Sequence, residues 1–190
     1  DERSINSLIH QGAKIDLWGA GTRLITSADM PALGGVYKLS AILTEDGKYE
    51  PKIKLSNTVE KITNPGFKNI YRVYDKNTGK AEADCIFLRS EDDVDETKSL
   101  TLVHPIERWK KTTFENYSVK KLQVDVIKGG KLVYNLPNVT EIKEYVKTEL
   151  DSFWDEYKRL DKPHLYKVDL SDGLFELKKN MLEEIRSKDV

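Results

Sequence analysis

The chain has 190 residues, 38% hydrophobic and 33% charged, and its 31 basic and 32 acidic side chains leave a formal net charge of −1. This length suits one large domain or two small ones around a real core, and the charge balance argues against bulk attraction to nucleic acid or an anionic membrane. Cys85 is the only cysteine, so an internal disulfide and a cysteine-based metal site are excluded, and no apolar run approaches the ~20 residues of a membrane span.

The chain starts without methionine, and Asp1-Glu2-Arg3-Ser4 leads straight into Ile5, Leu8 and Ile9 at helical spacing. A helix over 2–11 closed by Gly12 is expected, in a piece of a longer chain with no signal-peptide pattern, hence a cytoplasmic protein. Lys14 to Trp18 reads as a short buried strand, Gly19 to Thr22 as a turn, and Arg23 onward as another helix. That order is what a parallel α/β sheet or barrel supplies.

Beyond Met30-Pro31 the pattern becomes β-rich. Strands are expected at 36–43 and 52–55 around Glu45-Asp46-Gly47, with a further turn at Asn64-Pro65-Gly66. Lys68–Tyr74 and Ala81–Leu88 flank a hairpin loop at 75–79, from which Arg72 and Lys80 are expected to point to water. The acidic run 90–98, with Glu91, Asp92, Asp93, Asp95 and Glu96, lacks the spacing and glycine of a calcium loop and reads as a solvated linker. Leu100–Val103 is a strand, and Val119–Ile127 with Lys131–Tyr134 form a hairpin around Gly129-Gly130. An amphipathic helix is expected over 138–160, stopped by Pro163, with Leu150 and Trp154 buried on its stripe. Ser171-Asp172-Gly173 opens a last helix that buries Leu174, Leu177, Met181, Leu182 and Ile185.

The Gly19-Ala20-Gly21-Thr22 turn is the candidate site. Glycines permit left-handed backbone and leave no Cβ in an anion's path, a helix start adds orphan N–H groups, and Thr22 adds a hydroxyl. Such a turn suits a 5′-phosphate. It is neither the dinucleotide fingerprint, because Leu24 stands where the third glycine belongs, nor the triphosphate loop, which needs Gly-Lys-Ser/Thr. The spacing alone equally allows a strand exit without a ligand. Arg23 and Lys38 are the nearest cations in sequence, and neither is assigned to the site.

The run WGAGTRLITS at 18–27, followed by Pro31-Ala32-Leu33-Gly34-Gly35-Val36-Tyr37-Lys38-Leu39, resembles the C-terminal part of the nicotinate phosphoribosyltransferase family. Lys54-Leu55-Ser56, KITNPG at 61–66, Tyr71 to Asp75, Val133 to Pro137 and Tyr166 to Ser171 extend the likeness in order. The resemblance implies an α/β fold: the tail of a type II phosphoribosyltransferase irregular barrel, a β-rich segment and C-terminal helices, α+β if taken alone. It places the end of the barrel at 1–30, a post-barrel segment at 31–118, and a hairpin with helices at 119–190. It also implies a homodimeric enzyme of NAD salvage that joins nicotinate to phosphoribosyl pyrophosphate with ATP hydrolysis and magnesium, and that gives Gly19, Ala20, Gly21 and Thr22 the 5′-phosphate.

Ala20 stands where the family more often has Val or Ile. The family's phosphorylated histidine and base-recognising residues lie upstream of the matching motifs, so no catalytic residue is assigned, and the chain alone is expected to be inactive and to bind no metal or cofactor. His10 and His104 read as surface or satisfied groups, and His164 as a packing residue. The competing reading is a non-catalytic interaction or dimerisation module, suggested by the β-rich middle and the aromatics Trp154 and Tyr157.

Overall fold

A computed structural model describes residues 1–32, 34–91 and 94–188, so the expectations for Leu33, Asp92 and Asp93 lie outside the described residues. The chain divides into two compact units, Asp1–Tyr37 and Lys38–Val190.

In the first unit, α1 (Glu2–His10) is capped by Asp1, whose carboxylate accepts from Ser4 N at 3.0 Å. Its other end closes as expected. Gly12 takes φ +79°, its N–H donates to Ile9 O at 2.9 Å, and Ala13 N donates to Leu8 O at 3.0 Å, the paired bonds that satisfy a helix's last carbonyls. The strand expected at 14–18 is not formed, and Leu17 is 88% exposed. A strand exists only through a partner's backbone groups, and none of the described residues supplies one there. α2 (Thr22–Ile25) is a single turn.

The second unit opens with an antiparallel hairpin, β1 (Ala41–Leu43) and β2 (Tyr49–Pro51), turned by Gly47 at φ +80°. These strands are shorter than expected, and the second sits hard against the turn rather than at 52–55, because the pairing of Leu43 with Tyr49 fixes the register. A short 3-10 helix (Val59–Lys61) then leads to Asn64-Pro65-Gly66.

The body is a six-stranded mixed sheet. Its strands are β3 (Lys68–Asp75), β4 (Ala81–Leu88), β5 (Leu100–Val103), β6 (Lys111–Phe114), β7 (Tyr117–Lys121) and β10 (Lys167–Leu170), in the order β6-β5-β10-β4-β3-β7. β10 runs parallel to β4 and antiparallel to β5. The expected strand at 119–127 resolves into β7 and a separate ribbon, β8 (Ile127–Lys128) with β9 (Lys131–Leu132). Alternation places Tyr71, Val73, Ala83 and Cys85 in one core cluster, joined by Leu100, Leu102 and Tyr117. There Cys85 Sγ lies 3.4 Å from Tyr71 O, and burial pushes its thiol up to about 12.

Two helices complete the unit, α3 (Val139–Ser152) and α4 (Asp172–Lys188). α4 lies against β4 and β5 and buries Leu174 completely, with Leu177, Met181, Leu182 and Ile185 half-buried along the expected face. α3 ends well before Pro163, and Leu150 is 50% exposed rather than buried. Among the described residues no helix is long and apolar enough to cross a membrane.

Candidate functional site

Gly19 to Gly21 form an exposed irregular segment, not the expected turn, that leads into the N-terminus of α2 at Thr22. Gly21 is the N-cap, in extended conformation (φ −99°, ψ −151°), so it does not use the left-handed freedom that glycine offers. Its carbonyl accepts from Leu24 N at 3.2 Å and Ile25 N at 3.3 Å. A Cβ built at Gly19 or Gly21 would meet nothing within 4 Å, so packing does not demand glycine at either place. What the two glycines leave open is the approach to the backbone. Among the described residues, no group accepts from the N–H groups of Gly19, Ala20, Gly21 or Thr22, or engages the Thr22 hydroxyl. Four backbone N–H groups and a hydroxyl thus carry no partner among the described residues.

The neighbouring cations are engaged elsewhere. Arg23 Nη1 pairs with Asp1 Oδ2 at 3.0 Å, and Lys38 donates to the carbonyl of Lys61. The histidines stay apart from the turn in sequence and partners. His10 Nδ1 meets Asn6 O at 2.8 Å, and His104 Nδ1 accepts from Glu107 N at 3.0 Å. His164 is exposed and is not the packing residue expected, its backbone N–H donating to Glu156 O at 3.0 Å.

Within the acidic run, Glu91 and Glu96 are not the solvated linker residues expected, whereas Asp95 is exposed. Glu91 Oε2 accepts from Leu88 N and Ser171 Oγ, both at 2.7 Å, while Glu96 Oε1 accepts from Val119 N at 2.8 Å. The hydroxyl and amide of Thr97 hold the Asp95 carboxyl down at about 2. These side chains pin the loop to the sheet and α4 by satisfying backbone donors. Among the described residues no group of three or more His, Cys, Asp or Glu side chains could hold a metal ion.

A polar cluster went unread in the sequence. Arg72 does not point to water; its side chain is 14% exposed, with Nε and Nη2 on the two oxygens of Asp84 at 2.8 and 3.0 Å and Nη1 on Glu149 at 3.1 Å. Its guanidinium lies 4.7 Å from the Phe153 ring centre and 5.8 Å from that of Tyr166. The Asp84 hydrogen bonds raise the Arg72 pKa, while burial, then Asp84, raises that of the Tyr166 hydroxyl, which donates to Asp84 at 3.0 Å. Lys80 likewise turns inward, donating to Asp151 O at 2.7 Å. Hairpin register places Arg72 opposite Asp84 and was the one available signal. This cluster joins α3 to the sheet, and its geometry is that of a clasp.

Residues 67–178 match the family described as the nicotinate phosphoribosyltransferase C-terminal domain. The chain is 42% identical over 188 residues to a Bacillus subtilis protein named nicotinate phosphoribosyltransferase, covering 99% of this chain and 38% of that protein. A Caenorhabditis elegans protein of the same name is 37% identical over 93% of this chain and 30% of its own length. The crystal structure of human nicotinic acid phosphoribosyltransferase superposes with a TM-score of 0.56 at 25% identity, covering 62% of this chain and 23% of the human one. The chain thus spans less than two fifths of the length of these relatives. Because the matched region takes in more than half of its residues, the chain belongs to the nicotinate phosphoribosyltransferase family.

Proposed function

We propose that this chain is the C-terminal portion of an enzyme that joins nicotinate to phosphoribosyl pyrophosphate, releasing nicotinate mononucleotide and pyrophosphate with hydrolysis of ATP. The observation that carries this reading is the 42% identity maintained over 99% of the chain. In the complete enzyme, a cytoplasmic homodimer in this reading, residues 1–30 close the catalytic barrel and Gly19, Ala20, Gly21 and Thr22 hold the ribose 5′-phosphate. The unengaged N–H groups and the missing Cβ atoms of that turn support the assignment. The phosphate lies away from the reacting carbon, so its binding energy positions the sugar for attack by the nicotinate ring nitrogen.

The test uses the complete enzyme. Gly21→Val puts a branched side chain in the anion's path and should weaken phosphoribosyl pyrophosphate and nicotinate mononucleotide at least tenfold without moving the melting temperature. Thr22→Ala removes one hydrogen bond to a charged group, about 1.5–3 kcal/mol. Normal dissociation constants in both variants would place the phosphate elsewhere.

One observation favours a second reading, an interaction or dimerisation module. Ile142, Tyr145, Val146 and Leu150 of α3 are all exposed, whereas Trp154 donates to Glu82 at 2.9 Å and Tyr157 stacks edge-on with Phe153 and Tyr166. An association surface would thus be α3, not the aromatics. Ile142→Lys with Val146→Lys should then reduce the sedimentation coefficient of the complete enzyme, and an unchanged value would remove this reading.

A further inference from the structure

Lys178 sits on α4 with only 8% of its surface exposed. Its Nζ donates to Asn64 Oδ1 at 2.8 Å, a neutral acceptor. Among the described residues Lys178 has no ion pair, and burial lowers its pKa with no neighbouring charge to offset the effect. A buried cation without a counter-charge is a costly arrangement. Asn64 belongs to the KITNPG run that the sequence singled out and that the phosphate turn does not use.

The same lysine lines two cavities of about 260 and 200 Å³, which share Val59, Ile62, Pro105 and Ile106 as apolar walls. Ile86 and Leu170 of the sheet also line the larger one, which is open to solvent where Val59 and Ile106 are 47% and 44% exposed. Its polar groups are Lys178, Asn64 and the exposed Glu60.

We propose that this cavity binds a small monocarboxylate with a compact apolar body, the carboxylate meeting Lys178 and the side-chain amide of Asn64. One ammonium answers one negative charge, and Glu60 at the same wall disfavours a phosphate dianion. The ammonium also disfavours cationic ligands. The larger volume falls below the roughly 300–1,000 Å³ of drug-sized sites, which selects a single ring or a short branched chain. With Asn64 Oδ1 occupied by Lys178, its amide N–H groups are the second donor. This inference goes beyond the phosphoribosyl-transfer reading and does not rest on it.

Benzoate is the probe, with benzyl alcohol as its uncharged counterpart, titrated into the 190-residue protein by calorimetry and by methyl NMR. Benzoate should move the methyl signals of Ile62, Ile86 and Ile106 and should bind at least tenfold more weakly to Lys178→Met. Benzyl alcohol should not distinguish the two proteins. Ile106→Trp, which fills the cavity and leaves the charge alone, should abolish binding and gives a second decision should Lys178→Met fail to fold. Equal benzoate affinity in wild type and Lys178→Met would overturn the proposal, as would benzoate shifts confined to signals outside this cavity.

Discussion

Arg72 carries a charge into a nearly dry site and meets two carboxylates and two rings there. One guanidinium against Asp84 and Glu149 leaves an excess negative charge, and Lys120 supplies the balance by pairing with Glu149. Removing Arg72 would strand two largely buried carboxylates. Arg72→Ala is therefore expected to lower stability by about 3–5 kcal/mol, read from the urea midpoint. Arg72→Lys should fall in between, because an ammonium cannot hold Asp84 bidentately; a loss under ~1 kcal/mol for the alanine variant would mean that water screens the cluster. The residue scale also shows where the sequence was readable. Asn64-Pro65-Gly66 announced a turn, and Gly66 has φ +88° with a would-be Cβ that would overlap Leu88 Cδ2. Gly66→Ala strains the backbone and crowds Leu88 together, so a loss of roughly 1–3 kcal/mol is expected in the same assay. Asp84 could be paired with Arg72 by counting across the hairpin, but Glu149 lies 77 residues along the chain and no local pattern points to it.

Among the elements, β3 and β4 matched expectation closely because alternation and a turn sequence agree locally. α3 was overextended for a physical reason: its apolar stripe continues through Phe153, Trp154 and Tyr157, but those rings leave the helix to serve the sheet. Phe153 lies under Arg72 with ψ 149°, and Lys80 satisfies the terminal carbonyls of Asp151 and Phe153. A lysine from the loop between β3 and β4 thus does the work expected of Pro163. β10 was missed because its main pairing is parallel with β4, a contact made across more than 80 residues, and because Asp169 interrupts its apolar pattern. At the candidate site the strand expected at 14–18 was not realised without a paired neighbour, and Gly19 to Gly21 run as irregular chain into α2. α3 also has a capping box at its start, where Asn138 Oδ1 accepts from Glu141 N at 3.0 Å and Glu141 accepts from Asn138 N at 2.7 Å. Asn138→Ala should cost about 1 kcal/mol. Amides in the first turns of α3 should exchange severalfold faster, and those of β3 and β4 should be unchanged. Equal acceleration in the sheet would show that helix and sheet open as one unit.

At the scale of the molecule, the unit from Lys38 to Val190 is organised around a sheet against which groups that resist losing protons are packed. Burial raises Cys85 from its ordinary value of 9.0 to about 12. Burial also raises Tyr117 and Tyr166 above the ordinary tyrosine value of 10.0, with Asp95 and Asp84 adding to the respective shifts. The direction for stability follows from proton counting. Above pH 9 the unfolded chain releases the cysteine proton while the folded chain keeps it, so the folded state binds more protons and stability falls as pH rises. This contribution is complete below pH 9 and is lost progressively up to about pH 12, with the tyrosines joining above pH 10. The melting temperature should therefore begin to drop above about pH 9. In Cys85→Ala, which also leaves a small void, the midpoint should be lower throughout, but its decline should begin later, near the tyrosine range. The same burial should keep Cys85 unreactive toward a thiol reagent at pH 8 until the sheet opens, because the attacking species is the thiolate. Modification at the rate of global unfolding would agree with this. Rapid modification of the folded protein, together with an unaltered alkaline decline in Cys85→Ala, would show that the thiol is not held in the sheet's interior.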